Sequence, residues 1–241
     1  MTLLTIDTFH TGFELFQSIH IGWLILVLGI LLLLTPRYKK ASNELKFKYK
    51  MTIFLSLLLL ESIKQIEALI TGSYTIYTLP LHLCGLGMFV IGLQIYKPSP
   101  FIQEVLFSIT LPGTLSALIF PGWAIEPVFS YLHFHGFLFH ALLLYYCIFL
   151  LASSEIKPRW WNIRYGIYFL LMVVPPTYVL NKLANTNFMF INWPAPDSPL
   201  ELLETWLGNP GYILGLVLLV LVLWNIQYSL FFAIKKCFVI K

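Results

Sequence analysis

The sequence predicts an all-α polytopic membrane protein, a bundle of seven transmembrane helices, and three observations carry that reading. Hydrophobic residues make up 59% of the 241 positions and charged residues 11%, a balance far from that of a soluble domain. Runs close to the roughly 20 apolar residues that a helix needs to cross hydrocarbon recur seven times, over about 19–35, 51–70, 80–96, 101–119, 129–152, 161–183 and 211–234. Lys and Arg collect on alternate connections, as the cytoplasmic bias of basic residues requires.

The first run follows Asp7 and Glu14, where a signal peptide would carry positive charge, so it reads as a retained helix. After it come Arg37, Lys39, Lys40, Lys46, Lys48 and Lys50; Lys97 follows the third run, Lys157, Arg159 and Arg164 flank the fifth connection, and Lys235, Lys236 and Lys241 form the tail. Thirteen of the fifteen basic residues thus fall on one side, with Lys64 and Lys182 the remainder. Seven spans with that asymmetry put the N-terminus outside and the C-terminus in the cytoplasm, in a multi-pass protein of the cell membrane. The net charge of +4 then reflects topology and anionic lipid rather than nucleic acid.

No repeat or low-complexity tract interrupts the pattern, and most connections are too short to hold another fold, so residues 1–241 read as a single transmembrane domain. The exception is the outward loop of about 184–210, with Pro194, Pro196 and Pro199 and the acidic amphipathic piece LELLETWL. That piece reads either as an interfacial lid or as a plain connector with an aromatic belt. Pro112 before Gly113, and the pair Pro175 and Pro176, read either as helix breaks that form a site or as plain kinks whose freed groups neighbours re-satisfy.

Placed by depth at about 1.5 Å per residue, the polar residues gather in the outer half of the membrane. The second run carries Glu61, Lys64 and Glu67 in LLLLESIKQIEALITG; the third opens with His82 and Cys84 in LPLHLCGLG; the fifth carries His133, His135 and His140 in SYLHFHGFLFHALLLYY; and the sixth ends in Asn181, Lys182, Asn185 and Asn187. Charges in hydrocarbon cost about 2.5–3.5 kcal/mol each even on insertion scales, so they face the bundle interior or water and find partners. Spacing i, i+3, i+6 sets Lys64 within reach of either carboxylate, which serves equally for headgroup binding and for cross-linking helices.

His135 and His140 lie about 140° apart around a helix, and His133 and His135 about 160° apart, so neither pair is preset for a metal. No metal and no other cofactor is expected. Imidazole suits proton transfer near neutral pH, which marks His140 as the candidate base or orienting group. On a regular helix His82 and Cys84 point about 160° apart, so they make no dyad unless Pro80 leaves this turn irregular. Cys84 reads either as a nucleophile or as a packed small hydrophobe. Cys147 and Cys237 lie too far along the chain's membrane path to bridge it.

LPLHLC, GTLSALIFPGW, FLFHALLLYY and the ordered asparagines of NKLANTNFMF together resemble the YwaF-like family of bacterial integral membrane proteins, with related animal ether-phospholipid acyltransferases. The resemblance implies a multi-helix membrane fold and acyl transfer between phospholipids. In the animal relatives a thiol nucleophile directly precedes the histidine that matches His82; here that place is Leu81, with Cys84 a turn further on. The resemblance therefore supports His82 and His140 better than a thioester intermediate.

The reading that follows is a lipid acyltransferase or ester hydrolase with an outward polar site. His140, His82 and Cys84 are its catalytic candidates, and Glu61, Lys64, Glu67, His135, Asn181 and Asn187 its substrate-binding candidates. The expected partner is a phospholipid or another lipid; donor, acceptor and oligomeric state stay open. The alternative is a non-enzymatic lipid binder or small-molecule transporter using the same cleft.

Overall fold

The structure, a computed structural model, describes residues 12–196 and 198–239, with side chains as far as residue 236. The expectations attached to Asp7, the Cys237 thiol and Lys241 fall outside those residues. All regular structure among the described residues is helical, and the chain groups into two compact units, 1–157 and 158–241.

The first unit holds α1 (Ser18–Lys40), α2 (Asn43–Ile70), α3 (Leu83–Tyr96), α4 (Pro100–Val105), a π-helical turn over Leu106–Thr110, α5 (Leu111–Ile119) and α6 (Tyr131–Ala152). Serine starts three of these helices: Ser42, Ser99 and Ser130 accept from the backbone N–H of Leu45, Ile102 and His133, pairing donors that a helix start leaves bare. At Pro112 the helix neither stops nor stays α but passes through a π turn. Leu111 N–H reaches back five residues to the Leu106 carbonyl, next to a proline that has no N–H to continue the α ladder. Helical backbone thus runs from residue 100 to 119.

α1 continues through Pro36 to Lys40, and Ala41–Ser42 alone connects it to α2. The basic residues expected in a first loop therefore sit on helix ends, where long stems let the charges reach water.

α6 is the central element of this unit. Trp23 of α1 stacks on Phe137 at 4.8 Å, Tyr38 of α1 stacks on Phe149 at 4.8 Å, and Tyr145 donates to the Val27 carbonyl at 3.0 Å. α2 and α3 pack closely because a Cβ on Gly92 would lie 2.9 Å from the ring of Phe54.

Among the described residues, five helical stretches are long and apolar enough to cross a membrane: Ser18–Lys40, Pro100–Ile119, Tyr131–Ala152, Trp160–Ala184 and Gly211–Lys236. α2 has the length, at 28 residues, but carries charges through its middle. α3 is apolar but has 14 residues, short of the usual 20, because the chain from Pro80 to an extended His82 stays outside the helix.

The second unit holds α7 (Ile163–Ala184), α8 (Leu200–Leu207) and α9 (Gly211–Val239). α7 runs unbroken through Pro175 and Pro176 and stops at Asn185, whose φ of 51° is left-handed; asparagine tolerates that conformation. LELLETWL is α8, folded back so that Leu203 and Leu207 pack on α9 where Gly215 has no side chain. Leu202 and Trp206 are left exposed.

At the end of the first unit, Glu155 ties α1, α2 and the turn after α6 together. Its carboxylate accepts from Lys50 Nζ, Tyr38 Oη and Ser153 Oγ, each at 2.8 Å. Burial alone would raise its pKa, but the bonds from Lys50, Tyr38 and Ser153 outweigh it and hold the carboxyl below the usual carboxylate range. A depressed carboxylate stabilises the fold fully above the unfolded pKa of about 4.3 and loses that contribution as pH falls through the folded value. Glu155→Gln should cost about 1.5–3 kcal/mol at pH 7. The gap to wild type in thermal unfolding should close below pH 4; a gap that stays constant down to pH 3 would contradict the tie.

Candidate functional site

The polar residues of α2, α3 and α6 form one neighbourhood within the first unit. Glu61 is buried, and its carboxylate accepts from Lys64 Nζ at 2.8 Å and from Gln65 Nε2 at 2.6 Å. Gln65 also donates to the Thr78 carbonyl at 2.8 Å, which anchors the 71–82 connection to α2. Opposite, His135 Nε2 stands 3.6 Å from Glu61 Oε2, too far for a hydrogen bond. Tyr131 donates to the Leu60 carbonyl, fixing the start of α6 beside this part of α2. Of the two carboxylates flanking Lys64, Glu61 holds the ion pair; Glu67 lies in electrostatic range of Glu126 and Tyr131.

His82 is the N-cap of α3, extended at φ −68° and ψ 156°, so helical spacing does not relate it to Cys84. Its ring meets Tyr77 edge-on at 5.5 Å, and it lies in electrostatic range of Lys64 and His140. Cys84 turns towards α5 instead, beside Thr114, with its Sγ 4.0 Å from where a Cβ on Gly113 would stand. Gly85 is required here, since any Cβ would run into the Pro80 carbonyl. The tight turn that presents His82 depends on that missing atom.

His140 sits nine residues into α6, about 14 Å from its start. Its Nδ1 lies 2.7 Å from the Gly136 carbonyl. A carbonyl only accepts, so Nδ1 carries the proton and Nε2 keeps the lone pair in the neutral ring. The indole of Trp123 covers the imidazole, with centroids 4.7 Å apart and planes 19° apart. Gly136 admits that indole, because a Cβ there would overlap the Trp123 ring. His135 and His82 both lie in electrostatic range of His140.

The other described histidines serve packing. His20 donates from Nε2 to the Leu118 carbonyl at 2.9 Å and accepts at Nδ1 from Phe16 N–H at 3.0 Å. His133 accepts at Nε2 from the Trp23 indole at 2.9 Å.

Asn181 and Asn187 belong to the second unit, where they organise the 185–193 turn. Asn181 Oδ1 accepts from Thr186 Oγ1 and Phe188 N–H, and its Nδ2 donates to the Phe188 carbonyl. Asn187 Oδ1 accepts from the N–H groups of Asn192 and Trp193, and its Nδ2 donates to the Trp193 carbonyl. Both side chains are buried. No group of three His, Cys, Asp or Glu able to hold a metal occurs among the described residues.

Sequence reasoning missed Trp123, Gly136 and Gln65. The first two had a signal: glycine four residues before a histidine offers its carbonyl to the ring, and that glycine leaves room for an aromatic neighbour.

Long apolar helices enclosing a buried ion pair and three neighbouring imidazoles define a polytopic membrane protein with a polar interior. A family model matches residues 12–228, that of the TMEM164 family, and the chain belongs to this family of membrane proteins. No curated protein and no solved structure matches it.

The Glu61–Lys64 pair has side chains 9% and 20% exposed, so removing the cation leaves a carboxylate that has little water to turn to. Lys64→Met should destabilise by about 3–5 kcal/mol, and Glu61→Gln by less, because Gln65 and Lys64 keep solvent or backbone partners. Thermal unfolding in detergent checks this; equal stability of Lys64→Met and wild type would mean that the pair is solvated.

Proposed function

We propose that the protein is a lipid acyltransferase of the membrane, moving a phospholipid acyl chain to an acceptor hydroxyl, or to water, with histidine as general base. One observation carries the reading: His140 donates its Nδ1–H to the Gly136 carbonyl and so keeps the Nε2 lone pair free as a base, with His82 and His135 in electrostatic range. The resemblance of LPLHLC, GTLSALIFPGW and FLFHALLLYY to the YwaF-like proteins and the animal acyltransferases supports the same reaction class.

His140 removes the acceptor's proton and His82 orients the acceptor. Lys64 attracts the lipid phosphate, and Glu61, Glu67 and His135 line the headgroup side. Asn181 and Asn187 shape the 185–193 turn. Cys84 packs rather than attacks, since it faces α5 and Thr114 while Leu81 fills the nucleophile's place.

With purified protein and phospholipids carrying labelled acyl chains, transfer should be lost on His140→Ala and strongly reduced on His82→Ala, by about 10²–10⁴ in rate. Cys84→Ser should leave the rate near wild type; a trapped thioester that vanishes in this variant would install the thiol mechanism. Lipid binding without any acyl movement would favour a binder or transporter.

Seven spans within a single transmembrane domain, counting α2 and α3, and an outside N-terminus belong to this reading. In a Cys237→Ser background, an impermeant thiol reagent on intact cells should label Ser73→Cys and spare Lys39→Cys. The reverse pattern overturns the orientation.

A further inference from the structure

The segment between α5 and α6 carries a group that neither the ion pair nor the histidines account for. Trp123 lies flat against Gly136, stacks on His140 at 4.7 Å and meets Phe137 edge-on at 5.3 Å, so its ring is fixed on three sides. Its Nε1, however, is buried and has no hydrogen-bond partner. Tryptophan that is packed inside a protein normally finds an acceptor for that N–H, and an unpaired buried donor calls for an explanation.

We infer that the Trp123 indole N–H is the oxyanion donor of this site, held beside the His140 base to receive the charge that develops on an acyl ester's carbonyl oxygen. The inference rests on the acyl-transfer reading and adds to it the group that stabilises the tetrahedral intermediate. The acceptor hydroxyl gives its proton to His140 Nε2 while its oxygen bonds to the acyl carbon. The carbonyl π pair moves onto oxygen, which accepts the hydrogen bond from Trp123. The carbonyl then re-forms, the donor lipid's oxygen leaves with the bonding pair, and it takes the proton back from His140. A donor aimed at charge that exists only in the intermediate accelerates the chemical step without tightening substrate binding. A rigid indole meets that requirement because it needs no reordering when the charge appears.

The test uses the full chain, with its tryptophan side chains labelled by ¹⁵N, in lipid nanodiscs. The Trp123 indole signal is identified by its absence in Trp123→Phe, or by the ring-current change in His140→Ala. A phospholipid analogue with a phosphonate in place of one ester, which mimics the tetrahedral anion, should move that signal downfield. A diether phospholipid, which has no carbonyl, should not. Trp123→Phe keeps an aromatic ring on His140 and on Gly136, so kcat should fall about 10²–10³ with KM for the lipid within about twofold and the unfolding temperature unchanged. Transfer that survives intact in Trp123→Phe but is lost in His140→Ala overturns the oxyanion role and leaves the acyl reading standing. An indole signal that ignores the phosphonate overturns it too, whatever the variant's stability. Absence of transfer in the wild type removes both.

Discussion

A carboxylate buried in a helical bundle has few tolerable states, and Glu61 occupies one of them. Left alone in hydrocarbon it would be protonated or would drag water inward. Here Lys64 neutralises it, Gln65 occupies the same oxygen and ties it through Thr78 to the connection before α3, and His135 of α6 stands opposite. The needs of one charge thereby set the mutual register of α2, the 71–82 segment and α6. The same charges make α2 fail the apolarity expected of a spanning helix, although it is long enough to be one.

Around that pair, absent side chains position the chemistry as much as present ones. Gly85 lets the chain fold against the Pro80 carbonyl, which keeps His82 off the helix and in its own orientation. Gly136 does two things: its carbonyl selects the His140 tautomer, and its bare Cα gives the Trp123 ring a seat over that imidazole. Both positions are close approaches of backbone to a neighbour, the situation in which a glycine does what alanine cannot.

Hydropathy and charge made the helical membrane class and most helix positions legible. Depth reckoning brought Glu61, Lys64, His82, His135 and His140 to one level, and the structure gathers them. It set Asn181 and Asn187 at that level too, and depth says nothing about partners; those amides bond within their own turn. α3 was read three residues too long, since apolarity marks the span while the cap marks the start, and His82 is a cap. At Pro112 the backbone forms a π turn, and at Pro36 α1 simply continues. Proline removes one N–H, and whether a helix stops there depends on what else pairs the freed carbonyl. The signal for Trp123 lay not at the tryptophan but thirteen residues further along the chain, at Gly136, which leaves room for its ring.

General-base acyl transfer in such a site creates an imidazolium and an oxyanion together, in surroundings far less polar than water. Opposite charges a few ångströms apart attract strongly at low dielectric, which favours the intermediate, but each charge has also lost its water, which disfavours it. The outcome depends on fixed partners present before the reaction starts. On the cationic side that partner is the Gly136 carbonyl at Nδ1. On the anionic side the acyl reading requires a buried donor with no competing acceptor. An ion pair already balanced by Lys64 adds little net field of its own, so the site leaves the developing dipole to these local groups. A buried pair that looks costly as a source of stability is therefore consistent with a place where charge must be separated and recombined.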